Sequence, residues 1–526
     1  MDIEKIENSF QETKDKKCTV SKNGMVSSAF PEATKAGVEM LKKGGNAVDA
    51  ACATAIALGV CEPQASGLGG QSLVLLYIDG KTIALDGSSR APSLAHSSFF
   101  EKHSRRFIGY KATTVPSTPA VIGYLNEHYG RLDWPTILKP AIRIAKRGYR
   151  ITKLQHELQI QNLQKFSKVK SRSGAKYFLK DGEEPYNVGD LFVQDDLGEL
   201  LKYMSTHGYR TFYHGVIAKQ IDKDMRKNKG YLRAEDLSLI PEPIERKPLH
   251  RAYRGVQVVT MPPPAAGMTL LLVLMMMRNV SSKFVRSKKP ESYHFVAEVF
   301  RKALLHRTQR PYDPNTYQQI KEKTHLSKDF ARTLVGSIKE TIDPSLPLVE
   351  PYTDLDETTH LSVMDNEGNA VGITQSIELV YGSKAAADDL GFLYNNYMSS
   401  FEFENANHPF YLRPNAIPWT SVCPTLVFYR KKPWIIAGSP GSSRIFSVVS
   451  HFLSRTIDGN NSIDRAMSKP RFHCSIGGTI SIEEGFAYNE VGPYLKKLGY
   501  KINKKERFSF YFGAIHAILK RQTGQG

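Results

Sequence analysis

Residues 356–374, DETTHLSVMDNEGNAVGIT, contain the clearest strand pattern in the chain. Apolar and polar side chains alternate in 359–364 and again in 370–374, and the turn-forming residues Asp365–Gly368 separate the two runs. Alternation with a period of two, interrupted by a short polar turn, is typical of a β-hairpin. The stretch therefore predicts two antiparallel strands, the first beginning at a pair of threonines.

This threonine pair has two interpretations. β-branched residues are common in strands, so Thr358 and Thr359 can be purely structural. Alternatively, the chain is cut before Thr358, which then becomes an N-terminal nucleophile. A threonine hydroxyl needs a base, and the new α-amino group, with an ordinary pKa of about 7.7–8.0, can accept its proton.

A second candidate segment is AGSPGSSR at residues 437–444. Backbone N–H groups in such a turn can converge on an anion. In an acyl-transfer enzyme they would hold the oxyanion, and losing one such donor typically costs about 2.7–4 kcal/mol. An ordinary Gly/Pro loop is the alternative, and in either case Arg444 is expected to pair with a nearby carboxylate.

The sequence around these segments predicts a helix-rich N-terminal two thirds and a sheet-rich C-terminal third. The predicted helices are 31–43, 49–60, 138–147, 265–277 and 292–306. The predicted strands are 73–77 with 82–85, 253–261, 425–429 with 433–437, and 479–482. Residues 1–20 are predicted to form a polar tail.

The composition indicates a large globular protein. A chain of 526 residues exceeds one core of about 250–300 residues, so two lobes or one multilayered domain are expected. The 71 Lys and Arg against 52 Asp and Glu give a net charge of +19. These cations are dispersed and no nucleic-acid-binding motif accompanies them, so a solvated basic surface is expected, without a nucleic-acid partner. An anionic substrate fits the charge equally well.

Five cysteines without a C-x-x-C pair argue against a disulfide framework or a zinc site and favour a reducing compartment. The charged N-terminus has no signal-peptide pattern, and the apolar run 265–277 is too short to span a bilayer. A cytoplasmic location and no membrane partner are therefore expected. The chain has no H-E-x-x-H, Walker A, dinucleotide or G-x-S-x-G motif, and no metal or cofactor is expected.

Taken together with their surroundings, the two candidate segments resemble the γ-glutamyltranspeptidase family. The matching stretches extend over nearly the whole chain and occur in one order. They are GGNAVDA at 44–50, SGLGG at 66–70, VPSTP at 115–119, MPPP at 261–264, ETTHLSV at 357–363, GNAV at 368–371, GSPG at 438–441 and KPRFH at 469–473.

The resemblance implies an α+β fold of the N-terminal-nucleophile hydrolase type, an αββα sandwich of two stacked antiparallel sheets between helical layers. It also implies self-cleavage between Glu357 and Thr358. The products would be a large subunit, 21–357 after the tail 1–20, and a small subunit, 358–526, held together as a heterodimer.

The resemblance assigns roles to individual residues. Thr358 matches the nucleophile, which would attack first the Glu357 carbonyl and then the substrate carbonyl. Ser376 matches a threonine that hydrogen-bonds near the nucleophile. Gly441 and Ser442 match the paired glycines of the oxyanion hole, where Ser442 keeps its backbone N–H.

The expected substrate pocket departs from the family pattern. Thr420 and Ser421 match its paired serines. The arginine for the glutamyl α-carboxylate normally lies two residues after the aspartate that matches Asp86, but this chain has Ser88 there. Arg90 is the nearest arginine and is expected to substitute for it.

The group that binds the glutamyl α-amino group also differs. Ser400 stands where the family has an acid, Tyr397 where it has a glutamine, and Glu378 where it has an asparagine. Glu378 is the candidate replacement for the lost acid. The segment 402–416 is shorter than the lid-bearing loop of glutathione-cleaving members, which predicts a more open pocket.

Three functions remain open. The first is a γ-glutamyl hydrolase or transferase for glutathione-like amides, with water or an amine as acceptor and hydrolysis favoured. The second is an acylase or amidohydrolase, similar to cephalosporin or glutaryl acylases or to small-oxo-acid amidases. The third is a non-catalytic basic binding protein. His360 and Cys423 are expected to be core residues.

Overall fold

The chain folds as two units, each of which combines segments that are distant in sequence. Unit 1 comprises Met1–Asn23, Lys247–Leu355 and Ser421–Gly526, and unit 2 comprises Gly24–Arg246 and Asp356–Thr420. The computed structural model describes residues 1–8, 18–100, 107–309, 322–339, 357–486 and 488–522. Both units contain residues from either side of the predicted cleavage point.

The described strands and α-helices are numbered in chain order. The strands are β1 Met25–Ser27, β2 Gln71–Ile78, β3 Lys81–Gly87, β4 Tyr149–Arg150, β5 Leu191–Phe192, β6 Ile244–Arg246, β7 Leu249–Tyr253, β8 Val256–Thr260, β9 Thr359–Met364, β10 Ala370–Ser376, β11 Thr425–Tyr429, β12 Lys432–Gly438, β13 Phe472–Cys474, β14 Thr479–Glu483, β15 Lys501–Lys505 and β16 His516–Leu519. The helices are α1 Ile3–Asn8, α2 Pro31–Lys42, α3 Ala47–Cys61, α4 Thr118–Tyr129, α5 Trp134–Arg147, α6 Lys153–Ser167, α7 Ser173–Phe178, α8 Asp195–His207, α9 Gly215–Lys227, α10 Ala234–Ser238, α11 Gly267–Met277, α12 Ser282–Val285, α13 Pro290–Gln309, α14 Glu322–His325, α15 Lys328–Gly336, α16 Ile445–Ile457, α17 Ile463–Ser468 and α18 Tyr488–Lys497.

Unit 2 is built on a six-stranded antiparallel sheet with the order β1-β9-β10-β2-β3-β6. Thr359 lies opposite Gln375 in the β9–β10 pair, and Ser376 lies opposite Gln71 in the β10–β2 pair. Both strands of the predicted hairpin therefore have neighbours on each side, and all their residues are buried. A strand in this position offers a fixed platform for a functional side chain.

Helix α3 packs against β9 and β10. Its residues are nearly all buried and six of the fifteen are alanine, which is the pattern of a helix without a solvent face. A capping box starts it: the Asn46 side chain accepts from the Asp49 N–H, and Asp49 accepts from the Asn46 N–H at 2.8 Å. Asp49 also accepts from the N–H groups of Arg131 and Leu132, at 3.0 Å each.

Unit 1 contains a five-stranded antiparallel sheet with the order β16-β12-β11-β8-β7. A second sheet, β13-β14-β15, has one antiparallel and one parallel pair. The apolar helix α11 is completely buried and packs on α13 and α16. The architecture is therefore mixed α+β with several antiparallel sheets, as the sequence predicts at this level.

The predicted helices and the three predicted hairpins or strand pairs are confirmed, with differences of a few residues at their ends. The predicted buried helix over 265–277 is α11. No helix in the described part of the chain is both long and apolar enough to cross a membrane.

Two local predictions are wrong. The strand predicted over 253–261 is instead the end of β7, a turn at Arg254–Gly255 with positive φ angles, and β8. The C-terminal third is sheet-rich as predicted, although it also contains α16, α17 and α18. The predicted polar tail contains α1, whose Ile6 is buried and whose Glu7 accepts from the Trp434 side chain.

Candidate active site

Thr358 and Ser376 lie at adjacent ends of the neighbouring strands β9 and β10 in unit 2. Thr358 directly precedes β9, and Ser376 is the last residue of β10. Both side chains are buried, at 6% and 2% exposure. Successive residues of a strand point to opposite faces, so these two face away from the side occupied by their neighbours Thr359 and Gln375.

Two hydroxyl groups donate to one carbonyl oxygen at this point. The Thr358 hydroxyl and the Ser376 hydroxyl each donate to the Glu357 carbonyl oxygen at 2.8 Å. The Glu357 N–H donates to the Glu378 carbonyl oxygen at 3.0 Å. The backbone of Glu357 is thus held at both its N–H and its carbonyl group, and the two hydroxyl donors polarise the carbonyl of the Glu357–Thr358 peptide group.

Glu378 connects this peptide group to the predicted amino-group subsite. Its N–H donates to the Ser376 hydroxyl oxygen at 2.8 Å, which orients the Ser376 proton towards Glu357. Its φ angle is +81°, an uncommon conformation for a residue with a side chain. Its carboxylate accepts a hydrogen bond from the Ser400 hydroxyl. The predicted pair of Glu378 and Ser400 therefore does lie together.

Tyr397 packs beside the same group. Its side chain is fully buried, and burial raises the pKa of its hydroxyl well above the usual value, with the Glu378 charge adding to the rise. The hydroxyl lies within reach of Ser376 and Gln71. The Tyr397 N–H donates to the Asn395 side chain at 3.2 Å, which fixes the short helical turn that begins there.

The position of the expected arginine is occupied by a different ion pair. The Ser88 hydroxyl donates to Asp86 at 2.5 Å, and Arg246 donates to the other carboxylate oxygen of Asp86 at 2.7 Å. Both charged side chains of this pair are almost completely buried. Ser88 therefore supplies no cation, and Asp86 is already neutralised.

Arg90 lies on the wall of a separate cavity of about 340 Å³ within unit 2. Its guanidinium donates to the Asn415 carbonyl oxygen at 3.4 Å, and burial lowers its pKa. Among the described residues, no carboxylate forms an ion pair with it. None of the residues lining the cavity is Thr358, Ser376 or Glu378. The structure thus gives Arg90 room for an anion but no direct contact with the predicted nucleophile.

The remaining predicted site residues are Thr420, which is buried at the end of unit 2, and three residues of unit 1, Ser421, Gly441 and Ser442. Gly441 and Ser442 form a tight turn with φ angles of +124° and +54°. Arg444 was expected to pair with a carboxylate. Its guanidinium instead donates to the Tyr511 carbonyl oxygen at 2.7 Å and lies 4.0 Å from the centre of the Tyr511 ring.

The two expected core residues are indeed buried. His360 hydrogen-bonds Thr374 and Ser362 at 2.8 and 3.0 Å, and burial raises the pKa of the Cys423 thiol to about 12. All five cysteines are free. In the described ranges, no three His, Cys, Asp or Glu side chains are grouped as a metal site requires.

Sequence reasoning missed Glu62, the residue that follows α3. Its carboxyl group is buried near the Thr359 hydroxyl, and neither Glu62 Oε2 nor that hydroxyl has a hydrogen-bond partner among the described residues. An acid at the end of an alanine-rich helix gives no sequence signal for this position, because the contact depends on how α3 packs on the sheet.

The comparison with known proteins agrees with this geometry. The family model Gamma-glutamyltranspeptidase matches residues 33–525. The glutathione hydrolase proenzyme of Escherichia coli (strain K12) is 31% identical, over 96% of this chain and 89% of its own. The Acylase ACY 1 proenzyme of Pseudomonas sp. (strain V22) is 27% identical, over 97% and 92%. The crystal structure of a cephalosporin acylase from Bacillus halodurans has a TM-score of 0.86 and 26% identity, covering 96% and 93% of the two chains.

The chain therefore belongs to the γ-glutamyltranspeptidase family. It is an enzyme of the glutathione hydrolase or γ-glutamyltransferase type. At the level that glutathione hydrolases and acylases share, it is a hydrolase of γ-glutamyl or other acyl amides.

Proposed function

We propose that this protein cuts itself between Glu357 and Thr358, and that the new N-terminal threonine then hydrolyses γ-glutamyl amides such as glutathione. One observation carries the proposal: the Thr358 and Ser376 hydroxyls both donate to the Glu357 carbonyl oxygen at 2.8 Å. Neighbouring proteins named as proenzymes support the self-processing step.

In the first step, Thr358 Oγ bonds to the Glu357 carbonyl carbon and loses its proton. The bond from that carbon to the Thr358 nitrogen then breaks, the nitrogen takes up a proton, and an ester remains on Oγ. Water cleaves the ester, leaving a Glu357 carboxylate, a free Thr358 hydroxyl and a free α-amino group. The Ser376 hydroxyl stabilises the negative charge that develops on the carbonyl oxygen.

Substrate hydrolysis repeats the same chemistry on an external amide. The Thr358 α-amino group accepts the hydroxyl proton as Oγ attacks, and the leaving amine takes a proton as the carbon–nitrogen bond breaks. Water then hydrolyses the acyl-enzyme and releases the acid. The N–H groups of Gly441 and Ser442 are the candidates for holding the oxyanion, and a serine at the second position retains this donor.

Recognition of a glutamyl group would use two separate charges. The Glu378 carboxylate accepts from Ser400, and the Glu378 backbone contacts Ser376 and Glu357, which supports this carboxylate as the partner of an ammonium group. Arg90 is the candidate for the α-carboxylate, since Ser88 provides no cation. On this proposal, Arg90→Gln raises the KM for glutathione about tenfold or more and leaves kcat largely unchanged, because a positioning charge is lost and not a reacting group.

An acylase is the second candidate function. It is favoured by the loss of the arginine at Ser88 and by the separation of Arg90 from the nucleophile cluster in a cavity of about 340 Å³. An acyl group without the α-amino and α-carboxylate groups of glutamate would not need both charges. The similarity to a cephalosporin acylase over 96% of the chain supports this alternative.

The finer architecture belongs to the same proposal. It is the αββα sandwich that the family resemblance implies, and the two fragments would remain associated as a heterodimer. The fragments 1–357 and 358–526 both contribute strands to each of the two larger sheets, which supports their staying together.

The decisive experiment is intact-mass analysis of the purified wild-type chain and of Thr358→Ala, followed by incubation with glutathione and with a glutaryl amide. Two fragments from the wild type, none from Thr358→Ala, and release of glutamate support the first function. Two fragments with cleavage of the glutaryl amide alone support the acylase. A wild-type chain that stays whole and inactive overturns both.

A further inference from the structure

Gln71, the first residue of β2, has a buried side chain with one bonded end and one free end. The side chain is 1% exposed. Its oxygen, Oε1, accepts from the Ser89 N–H at 2.8 Å. Because a backbone N–H can only donate, the atom that faces it is the oxygen, and the amide nitrogen Nε2 occupies the other position. That nitrogen is buried and has no hydrogen-bond partner among the described residues.

Gln71 lies on the same face of the sheet as the candidate nucleophile. It is opposite Ser376 in the β10–β2 pair, and residues directly opposed in antiparallel strands point to the same face. Thr359 lies opposite Gln375, so the register places Thr358 beside Ser376 on its other side. Thr358, Ser376 and Gln71 thus form a row across β9, β10 and β2. With neighbouring strands about 4.8 Å apart, the backbones of Thr358 and Gln71 are separated by about 10 Å.

Close packing fixes the start of β2 in this row. Gly70 has no room for a side chain, because an added Cβ would collide with the Ser376 carbonyl oxygen. The Gly70 carbonyl oxygen accepts from the N–H groups of Ser117 and Thr118, at 2.8 and 3.2 Å. The Gln71 side chain therefore extends from a fixed point of the backbone.

The neighbours of Gln71 leave its free N–H without an acceptor in the part of the chain that the structure describes. The Tyr397 hydroxyl lies close to Gln71 and Ser376, but it forms no hydrogen bond with Nε2. On the other side of Gln71, Ser88 continues the row, and its hydroxyl donates to Asp86 at 2.5 Å. An unbonded donor in a dry interior is unfavourable, and buried polar groups are nearly always paired. A ligand that brings an acceptor oxygen to this point would remove that cost.

We propose that Gln71 is a specificity-determining residue, whose Nε2–H donates to an oxygen at the far end of the acyl group while the scissile carbonyl lies at Thr358. The proposal rests on the proposed role of Thr358 as nucleophile. The acyl chain then runs along the row, past Ser376, and its far end meets Gln71. A carboxylate has two oxygens, so this donor adds to the charge proposed for Arg90 and does not replace it.

This assignment defines the class of substrate. Amides of dicarboxylic acids, such as glutaryl and γ-glutamyl amides, carry an acceptor oxygen at the far end of the acyl chain. Amides of simple fatty acids carry none, and they leave the Gln71 N–H unbonded in the complex. The enzyme is therefore expected to prefer the first class, and Gln71 is expected to be one source of the preference.

The test uses pairs of p-nitroanilides that differ only in the distal carboxylate: glutaryl against butanoyl, and γ-glutamyl against 4-aminobutanoyl. The measured quantity is the ratio of kcat/KM within each pair. Gln71→Met has a side chain of similar size without the donor. Its ratio is expected to fall about tenfold or more below that of the wild type, while the carboxylate-free amide is cleaved within a few fold of the wild-type rate. A purely structural role would lower both rates together.

A matched control is Gln375→Met. Gln375 is also 1% exposed and lies in the same sheet, but on the opposite face, where its amide donates to the Ala55 carbonyl oxygen and the Ser66 hydroxyl at 2.9 Å each. Its substitution can lower both rates but should leave their ratio unchanged. Self-cleavage, followed by intact mass, shows which variants have folded, and Gln71→Leu repeats the comparison if Gln71→Met stays uncut.

Two results would overturn the assignment. One is an equal ratio in Gln71→Met and the wild type. The other is a wild-type enzyme that cuts itself but has no preference for the amide with the distal carboxylate, which needs no variant to detect. A wild-type chain that remains uncut instead removes the proposed function itself, and intact mass distinguishes this failure from the other two.

Discussion

At the residue scale, the proposed self-cleavage depends on which hydroxyls reach the Glu357 carbonyl oxygen. The Ser376 hydroxyl accepts a hydrogen bond from the Glu378 N–H and donates its own proton to the Glu357 oxygen. The Thr358 hydroxyl donates to the same oxygen. In the proposed reaction Thr358 would lose this proton as it attacks, so Ser376 would be the donor that persists through the first step.

Ser376→Ala is expected to slow self-cleavage by about 10²–10³-fold, the usual cost of losing one donor to a developing oxyanion. Ser376→Thr keeps the hydroxyl and is the matched control. The time course of fragment appearance, followed by intact mass, measures the effect. Equal rates for Ser376→Ala and the wild type would show that this hydroxyl does not contribute.

The backbone conformation of the turn at Gly441 and Ser442 predicts how substitutions there change the stability of the folded protein. Ser442 adopts a φ angle of +54°, which costs a residue with a side chain about 1–2 kcal/mol, whereas glycine adopts it freely. After the entropy cost of an added glycine, Ser442→Gly is expected to raise stability by about 0.5–1 kcal/mol.

Gly441→Ala should have the opposite effect, since its φ angle is +124° and an added Cβ would lie 3.1 Å from the Phe512 carbonyl oxygen. Both predictions are checked by comparing the thermal unfolding midpoints of the two variants with that of the wild type. A fall for Ser442→Gly would mean that the Ser442 side chain stabilises the turn more than its backbone strain costs.

The sequence could identify residues whose function depends on type and local pattern. Thr358 starts an alternating strand, and Glu378 lies two residues beyond Ser376, so the predicted group of Glu378, Ser400 and Tyr397 is found together. It could not identify contacts made through packing. Glu62 reaches β9 only because α3 lies on the sheet, and the partner of Arg444 is a backbone oxygen 67 residues away.

At the scale of elements, the segment between β10 and Tyr397 contains a buried lysine. Lys384 is 2% exposed, and its ammonium group donates to the carbonyl oxygens of Val380 and Gly382. Burial lowers its pKa to about 7, and nearby Lys165 adds to the effect. In the unfolded chain a lysine side chain has a pKa of about 10.4.

Between about pH 7 and pH 10.4, the unfolded chain therefore holds one more proton than the folded chain. Lys384 makes the free energy of unfolding rise with pH in this window, by up to about 1.4 kcal/mol per pH unit, and its contribution is constant below pH 7. The stability of Lys384→Met relative to the wild type should accordingly be greatest at pH 7 and decline towards pH 10.

Urea denaturation at several pH values tests this, with Lys168→Met, which changes an exposed lysine, as the control. Both comparisons are best made with Thr358→Ala as the parent, so that one intact chain is measured. A difference between Lys384→Met and its parent that stays constant from pH 7 to 10 would contradict the prediction.

The N-terminus of α3 depends on one buried carboxylate. Asp49 is fully buried and accepts from three backbone N–H groups. Asp49→Asn replaces a carboxylate oxygen with an amide that faces these donors, and a loss of about 2–4 kcal/mol is expected. Asp133→Asn, at the exposed N-cap of α5, should cost about 1 kcal/mol or less. Thermal midpoints compare the two, and equal losses would contradict the special role of Asp49.

Elements with a strong local pattern were predicted well, and elements defined by their surroundings were not. The hairpin β9–β10 follows from alternation and a polar turn. Its position between β1 and β2 does not, because strand order depends on long-range pairing. Likewise the Arg254–Gly255 turn interrupts the stretch predicted as one strand, and the pairing of β7 with β8 shows that it is a hairpin.

At the scale of the whole molecule, the net charge is unevenly distributed. Unit 1 contains 38 Lys and Arg against 20 Asp and Glu, whereas unit 2 contains 33 against 32. Nearly all of the net charge of +19 thus resides in unit 1. The unit that carries Thr358 is almost neutral, so the basic composition does not by itself indicate an anionic substrate at the nucleophile.

The two proposed pieces share both large sheets, which has a consequence for the molecule if it is cleaved. β9 and β10 lie between β1 and β2, and β11 pairs with β8, so the piece after residue 357 is hydrogen-bonded along three strand edges to the piece before it. Separating the pieces would require breaking these ladders and exposing the core, which amounts to unfolding. Cleaved molecules should therefore not exchange fragments with one another. When isotopically heavy and light preparations of the cleaved protein are mixed under native conditions, no complex of a heavy and a light fragment should form.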